Sequence, residues 1–270
     1  MRAWVAFSVA LTASACGFSV PTGDVVADAP NDSPPDVTDA ALARTRQGLV
    51  GFWTFDDAPG TRFIADTAQA GPPVPLEVMT SATLAAPTFS NGNLVALQQG
   101  RLHSAENTHL PADCAMAGAV TLEVWAMPNV AMQGALDAPS FVAGLASNVV
   151  SRDVALMQAG DKWVGQVRTT SSLDGKPNLI STSVASTSTM THLVLIADAT
   201  QRVLYVNDVP QAIGAPGGPM GWDVSYPMAL IDEYQHARLW TGTLALVALY
   251  RRGLSAAEVH QNFIAGPDAP

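Results

Sequence analysis

Residues Leu239–Gly266 read LWTGTLALVALYRRGLSAAEVHQNFIAG. A strand is entered at Gly242-Thr243 and runs through the apolar stretch Leu244–Tyr250 to a basic corner at Arg251-Arg252-Gly253. Ser255 and Glu258 then stand in the S-x-x-E spacing of a capping box, in which each side chain satisfies a backbone N–H at a helix start. The spacing predicts a closing strand followed by a short capped helix.

Upstream, short apolar runs alternate with turn residues. Leu49–Phe55 is followed by the turn cluster Asp56-Asp57-Ala58-Pro59-Gly60. Further strands are predicted over Leu94–Gln98, Val120–Met127, Ser140–Leu145, Val154–Met157, Lys162–Thr169 and Leu179–Val184. His192–Asp198, Arg202–Val206 and Met228–Asp232 complete the set, with Gly160-Asp161, Asp174-Gly175 and Asn207-Asp208 as turns. Strands at this spacing make an all-β sandwich or jelly roll. Along Thr121–Trp125, Leu122 and Val124 share one face while Glu123 and Trp125 share the other. Trp53, Trp125, Trp163, Trp222 and Trp240 are candidates for a sugar-stacking platform, but a tryptophan within a strand is more often core.

The first residues have a different character. Arg2 precedes an apolar run, Ala3–Leu11, that is too short to span a bilayer, and Ala13-Ser14-Ala15 stand directly before Cys16. Residues 1–15 thus resemble a bacterial lipoprotein signal peptide, with Ala13 where leucine is usual and Cys16 as the lipidated residue. Residues 16–46 form a tether with Pro21, Pro30, Pro34 and Pro35 and spaced acids from Asp24 to Asp39. Such a segment buries too little apolar surface to offset its ordering entropy, and as a coil it reaches about 30 Å. Residues 47–270 are expected to form one domain.

Composition narrows the function classes. The chain is 48% hydrophobic and 13% charged, which suits a large core, and its net charge of −10 argues against nucleic-acid binding. With Cys16 acylated, Cys114 has no partner, so the fold rests on its core rather than on a disulfide. Cys114 reads as a buried small hydrophobe. His103, His109, His192, His236 and His260 lack zinc-ligand spacing, and there is no P-loop, dinucleotide fingerprint or G-x-S-x-G.

Four segments in order resemble the LamG-like jelly-roll domains of the concanavalin A-like lectin/glucanase superfamily. Leu49–Asp56 is similar to that family's LVGYWxFDE opening strand, and Val120–Pro128 to FTIEAWVKP. Thr191–Val209 is similar to WHHVA…LRLYVNGV, and Gly242–Gly266 to GTIDEVRIYNRALSAAEIxxLYNAG. The resemblance implies a two-sheet antiparallel jelly-roll sandwich with a short C-terminal helix. It also implies a structural calcium held by acids near the first strand and by the Asp of GTIDEV. Here that Asp is Ala245 and the following Glu is Leu246. Asp56, Asp57 and Asp66 remain as weak candidate ligands, equally readable as turn and cap residues, so no metal or other cofactor is assigned. Asn207-Asp208 replaces the usual Asn-Gly, which predicts a different turn type.

The retaining glycosidases of the superfamily place two acids at alternate strand positions, about 5 Å apart. No such run occurs here. Glu123 is expected to make a polar contact at the sandwich surface, and Asp232 and Glu233 to point to opposite faces if their strand continues. The expected function is a non-catalytic, envelope-anchored lipoprotein whose loops or concave face bind a glycan or an envelope or extracellular protein. It would meet the membrane through its lipid alone, at the outer membrane or cell surface. The ligand-binding residues are not identified by the sequence. The alternatives are a structural or assembly lipoprotein that reads no sugar, and a glycosidase-related enzyme using Glu123.

Overall fold

A computed structural model describes residues 43–79, 86–96, 100–215, 217–235 and 237–268, all within one compact unit, Thr38–Pro270. The signal segment 1–15, Cys16, the tether up to residue 42 and His236 lie outside the described residues. Two antiparallel sheets stack, with strands numbered in chain order. Sheet A holds β1 (Leu49–Trp53), β4 (Thr88–Ser90), β5 (Asn93–Ala96), β7 (Val120–Pro128), β12 (Thr191–Ala197), β13 (Arg202–Val206), β14 (Val209–Gly214) and β16 (Gly242–Tyr250). Sheet B holds β2 (Phe63–Ile64), β3 (Leu76–Met79), β6 (Arg101–His103), β8 (Ser140–Asn148), β9 (Ser151–Ala159), β10 (Lys162–Val167), β11 (Leu179–Val184) and β15 (Met228–Leu230). The helices are α1 (His109–Ala117) and α2 (Ala256–Ala265).

The closing strand of the sequence is central to sheet A. One edge of β16 pairs with β7 from Gly242↔Pro128 to Tyr250↔Thr121. Its other edge is shared between β5, at Gly242–Leu244, and β1, at Val247–Tyr250. The register against β7 slips between Leu244 and Leu246, so Ala245 sits on a bulge. Sheet B runs in the order β11-β10-β9-β8-β15-β6-β3-β2.

Alternation along the strands then fills two cores. Leu122, Val124, Leu193, Leu195, Leu244 and Val247 of sheet A face Leu76, Leu102, Leu156, Trp163 and Leu230 of sheet B, with Leu110 and Cys114 of α1 closing one end. The opposite residues of sheet A, including Phe52, Trp125, Ile196, Leu246 and Tyr250, pack against Leu254 and Val259 of the C-terminal segment. Both faces of β16 are therefore dry, which explains why its sequence is apolar throughout rather than alternating. Trp53, Trp163 and Trp240 are fully buried, and Trp125 nearly so, as the core reading of the tryptophans expects.

The capping box is present. Ser255 Oγ accepts from the Glu258 N–H at 3.3 Å, and Glu258 Oε2 accepts from the Ser255 N–H at 2.8 Å. Arg252 clamps the same carboxylate through Nη1 at 2.9 Å and Nη2 at 2.5 Å, and these bonds hold Glu258 down to a pKa of about 2. At the β13–β14 hairpin the expectation of a different turn type fails. Asn207 and Asp208 both take positive φ (49° and 66°), as a type I′ turn requires. Asp208 meets the cost with its carboxylate, which lies 2.6 Å from His260 Nδ1 on α2, and Asn207 Oδ1 accepts from the His192 N–H at 2.9 Å.

Candidate functional site

The outer face of sheet B carries a row of register partners, Phe63, Glu77, His103, Ala229, Gly144, Ala155 and Gln166. The middle of the face is apolar and buried, with Phe141, Met157, Val164 and Ala229 inaccessible to solvent. Beside it, β15 stops at Leu230 because Ile231 takes a φ of 75°, a genuine outlier for a β-branched residue. The Ile231 N–H donates to Val142 O, and Ile231 O accepts from the Trp240 N–H at 2.7 Å, which closes a loop over 231–240.

That loop overturns the expectation for Asp232 and Glu233, since the strand does not continue through them. Asp232 Oδ1 accepts from the Glu233 and Arg238 N–H groups at 2.9 and 2.8 Å and fixes the loop. Glu233 is fully buried, and neither of its carboxylate oxygens accepts a hydrogen bond of normal geometry from a described residue. Burial pushes it up to about 7, against the pull of Arg152 and with a further push from Asp232. Arg152 is itself held on the same face by Gln166, Nη1 to Oε1 at 2.6 Å.

Tyr234 leaves the loop and meets His103 edge-on, with ring centroids 4.6 Å apart at 75°. The pair forms one wall of an open cleft of about 410 Å³, whose other side carries Phe63, Pro73 and Glu77. Phe63 is half exposed, and the Arg62 guanidinium lies 5.2 Å from its ring centre while Arg62 Nε donates to Glu77 Oε1 at 3.0 Å. His103 Nδ1 lies 2.9 Å from Ser104 O; a carbonyl only accepts, so Nδ1 carries a proton, and in the neutral ring Nε2 is the acceptor. Thr108 Oγ1 is shielded and lacks a partner among the described residues. Aromatic walls with a few fixed polar groups are the chemistry of a site for a small amphipathic ligand such as a sugar.

Glu123, expected at the surface, is fully buried on the other face of sheet A. Burial alone would raise its pKa, but the Arg44 guanidinium paired with it and the His192 ring 2.8 Å away bring it down to about 2. Asn262 Nδ2 donates to Oε2 at 2.8 Å, and the Tyr250 hydroxyl lies 3.2 Å from the same oxygen. Its surface reading fails because α2 and residues 43–46 cover this face. Arg44 and Thr45, on the tether side of the expected boundary at residue 47, belong to the packed sandwich: Thr45 N donates to Asn262 Oδ1 at 2.9 Å. A carboxylate so enclosed has no space for a substrate beside it.

The candidate calcium ligands do not converge. Asp66 accepts from three backbone amides, those of Phe52, Ala68 and Val74, at 2.9–3.0 Å. Asp57 accepts from the Ala65 amide at 3.3 Å and, with Asp56, Asn91 and Gly92, lines a cleft that Asp66 does not line. Ala245 contributes nothing to the expected sphere. Calcium wants six or more oxygens, and the residues present do not fit it. No group of three metal-liganding side chains occurs among the described residues. Cys114 is buried and free, its thiol pushed up by burial.

Of the cleft, sequence reading had named only His103, and as an isolated histidine. Phe63, Glu77 and Tyr234 come from strands of two and four residues and from a loop, too short for periodicity to register. The legible signal was the alternation in Arg101-Leu102-His103, where the buried leucine turns its neighbours outward.

A sequence profile of the concanavalin A-like lectin/glucanases superfamily, of laminin G type, matches residues 103–260. Among solved structures, Trypanosoma rangeli sialidase in complex with sialic acid aligns with a TM-score of 0.59 at 16% identity, over 81% of this chain and 33% of that one. The binding domain of botulinum neurotoxin DC in complex with rat synaptotagmin II gives 0.58 at 8% identity, over 81% and 51%. A botulinum neurotoxin type C structure, described in terms of cell entry through two ganglioside molecules, gives 0.57 at 9% identity over the same shares. At these identities the likeness is one of fold, and the chain spans between 33% and 51% of those chains' lengths. No curated protein sequence matches significantly.

Two sets of shifted carboxyls oppose one another as pH changes. Glu123 and Glu258, both lowered to about 2, stabilise the fold above the ordinary carboxyl range, and that stability is lost as pH falls towards 2. Glu233 and Asp153, a fully buried residue at the start of β9, are both pushed by burial to about 7. They favour the fold while protonated and destabilise it as pH rises from their ordinary values to about 7, each on the order of 3–4 kcal/mol. The melting temperature is therefore expected to peak at about pH 4.5 and to fall towards pH 8, with a shallower fall in Glu233→Gln. A melting temperature that climbs steadily from pH 5 to 8, or a Glu233→Gln profile parallel to the wild type, would contradict this assignment.

Proposed function

This chain belongs to the concanavalin A-like lectin/glucanases superfamily, and from that premise we propose that it is a non-catalytic glycan-binding module held at the cell envelope by a lipid on Cys16. The observation that carries the binding role is the open cleft on the outer face of sheet B, walled by Tyr234, His103 and Phe63. Stacking of apolar sugar faces on these rings, with Glu77 and the His103 Nε2 lone pair taking hydroxyls, is the recognition such a cleft supports. Structures of similar fold are reported in complex with sialic acid and with the protein synaptotagmin II, and one is described in terms of cell entry that depends on two ganglioside molecules. They agree with a binding role in general and leave the sugar open.

The non-catalytic reading is supported by the state of the carboxylates. Retaining glycoside hydrolysis needs two reachable carboxyls about 5 Å apart, one of them able to give up a proton near neutrality. Glu123 is sealed and lowered to about 2, and Asp232 and Glu233 are enclosed within the loop. The lipid anchor rests on the residues before Cys16. A tether of residues 17–42 between lipid and sandwich gives the domain reach from the membrane, with the outer membrane or cell surface as its place.

Detergent-solubilised full-length protein on a glycan array is expected to give discrete hits that weaken about tenfold in both Tyr234→Ala and Phe63→Ala, at unchanged melting temperature. Background signal alone, or hits indifferent to both substitutions, overturns the cleft assignment. The anchor is tested by fractionation. Cys16→Ser is expected to move the protein from the membrane pellet to the soluble fraction, and a membrane-bound variant excludes lipidation at Cys16.

A further inference from the structure

A second pocket, at the end of β10 in sheet B, is built around an arginine. Arg168 follows β10 directly, and its backbone is fixed on both sides: its N–H donates to Asp153 O at 2.8 Å, and its carbonyl accepts from the Gly221 N–H at 3.1 Å. The side chain lines a pocket of about 460 Å³ with Ser151, Ser171, Ser172 and Tyr226. Its guanidinium carbon lies 5.6 Å from the Tyr226 ring centre, and Nη1 donates to the Tyr226 hydroxyl at 3.1 Å. The same Nη1 reaches Asp153 Oδ1 only at 3.5 Å.

The fork of this guanidinium is under-used. An arginine offers five N–H donors, and neither Nε nor Nη2 makes a hydrogen bond among the described residues. Of the carboxylates near it, Asp153 is fully buried and already receives the Asp223 N–H on both oxygens, at 3.1 and 3.2 Å, while Asp223, lowered by the Ser225 hydroxyl and further by Arg168, accepts from the Ser225 N–H and hydroxyl at 3.1 and 2.6 Å. Burial pushes Asp153 up to about 7. Asp174 at the pocket edge is paired with Lys176 at 3.0 Å and presents little free negative charge. The hydroxyls of Ser171 and Ser172 donate to Gly217 O and Lys176 O, each at 2.5 Å; Ser171 Oγ also accepts from Thr169 Oγ1 at 3.2 Å, so it keeps one lone pair for a ligand, and the lone pairs of Ser172 remain.

We propose that this pocket binds the carboxylate of an acidic sugar, with Arg168 as its anion-binding fork and the serine hydroxyls as acceptors for the sugar's own hydroxyl groups. With Nη1 engaged by Tyr226 and Asp153 and Nε shielded, Nη2 is the donor left for a carboxylate, and the Tyr226 ring gives the sugar an apolar wall. A part-buried cation lining a pocket is a selective feature on a chain whose net charge is −10. The assignment rests on the glycan-binding reading but uses a different pocket from the Tyr234 cleft.

Titration of the full-length protein with glucuronic acid and N-acetylneuraminic acid, against glucose and galactose, tests it. The acids are expected to bind at least tenfold more tightly than the neutral sugars, with affinity falling as salt rises. Arg168→Gln is expected to abolish that preference while Tyr234→Ala leaves it intact. Because Arg168→Gln also loosens Asp153, the Arg168 side-chain Nε–H resonance of the unaltered protein supplies a second readout, and it is expected to shift on addition of acid and not of glucose. Equal affinity for acidic and neutral sugars, a preference that survives Arg168→Gln, or an unmoved Nε–H resonance overturns the proposal. Loss of array hits in Tyr234→Ala with the acid preference gone only in Arg168→Gln keeps the two sites distinct.

Discussion

The ion pair between Arg44 and Glu123 is the constraint on which the architecture of sheet A depends. Glu123 sits in the middle of β7, flanked in register by Val194 of β12 and Ala248 of β16, so its carboxylate projects into the centre of an otherwise apolar face. Burying a carboxylate costs several kcal/mol unless its oxygens are fully engaged. Here Arg44, His192, Tyr250 and Asn262 all converge on it. Those four side chains come from the N-terminal segment, β12, β16 and α2, and one anion thereby positions four elements. Arg44 extends the tie through Nη2 to Gly266 O at 2.6 Å, placing a cation at the negative end of α2. Trp125, His192 and Phe263 stack alongside, with Trp125 4.7 Å from His192 and 6.0 Å from Phe263 between ring centroids.

This arrangement separates the two faces by role. The described chain begins at Ala43, whose carbonyl accepts from Gln261 Nε2 of α2 at 2.5 Å, so the N-terminal segment is docked on the outer face of sheet A. Sheet B's outer face lies on the other side of the sandwich and keeps its clefts open. The charges follow the same division. On sheet A a buried carboxylate is saturated with donors and driven down, a structural pin. On sheet B's side Glu233 is buried with neither carboxylate oxygen partnered among the described residues, and burial drives both it and Asp153 up.

Long strands and the C-terminal cap were legible in the sequence because their signals are local. Leu179–Val184 and Arg202–Val206 appear with the boundaries read from alternation and turn residues, and Ser255 and Glu258 make the bonds their spacing implies. The second core could not be read, because whether Glu123 and Trp125 face water depends on a helix that arrives 139 residues later in the chain, through Asn262. Arg44 looked like tether for the same reason, its partner lying 79 residues away. Helix α1 was missed although Gly118, with a φ of 64°, stops it in the usual way; its nine residues contain Pro111 and little amphipathic pattern. The clefts were almost wholly illegible, since Phe63, His103 and Tyr234, or Ser151, Arg168 and Tyr226, meet only once the strands are registered.

A double-mutant cycle on Arg44 and Glu123, read by chemical denaturation, tests the central tie most directly. Arg44→Met and Glu123→Gln each leave a buried charge without its counterion and are each expected to cost about 3–5 kcal/mol, with the double variant well short of their sum. Single losses below about 1 kcal/mol that simply add would mean that the pair does not hold α2 and the N-terminal segment to sheet A.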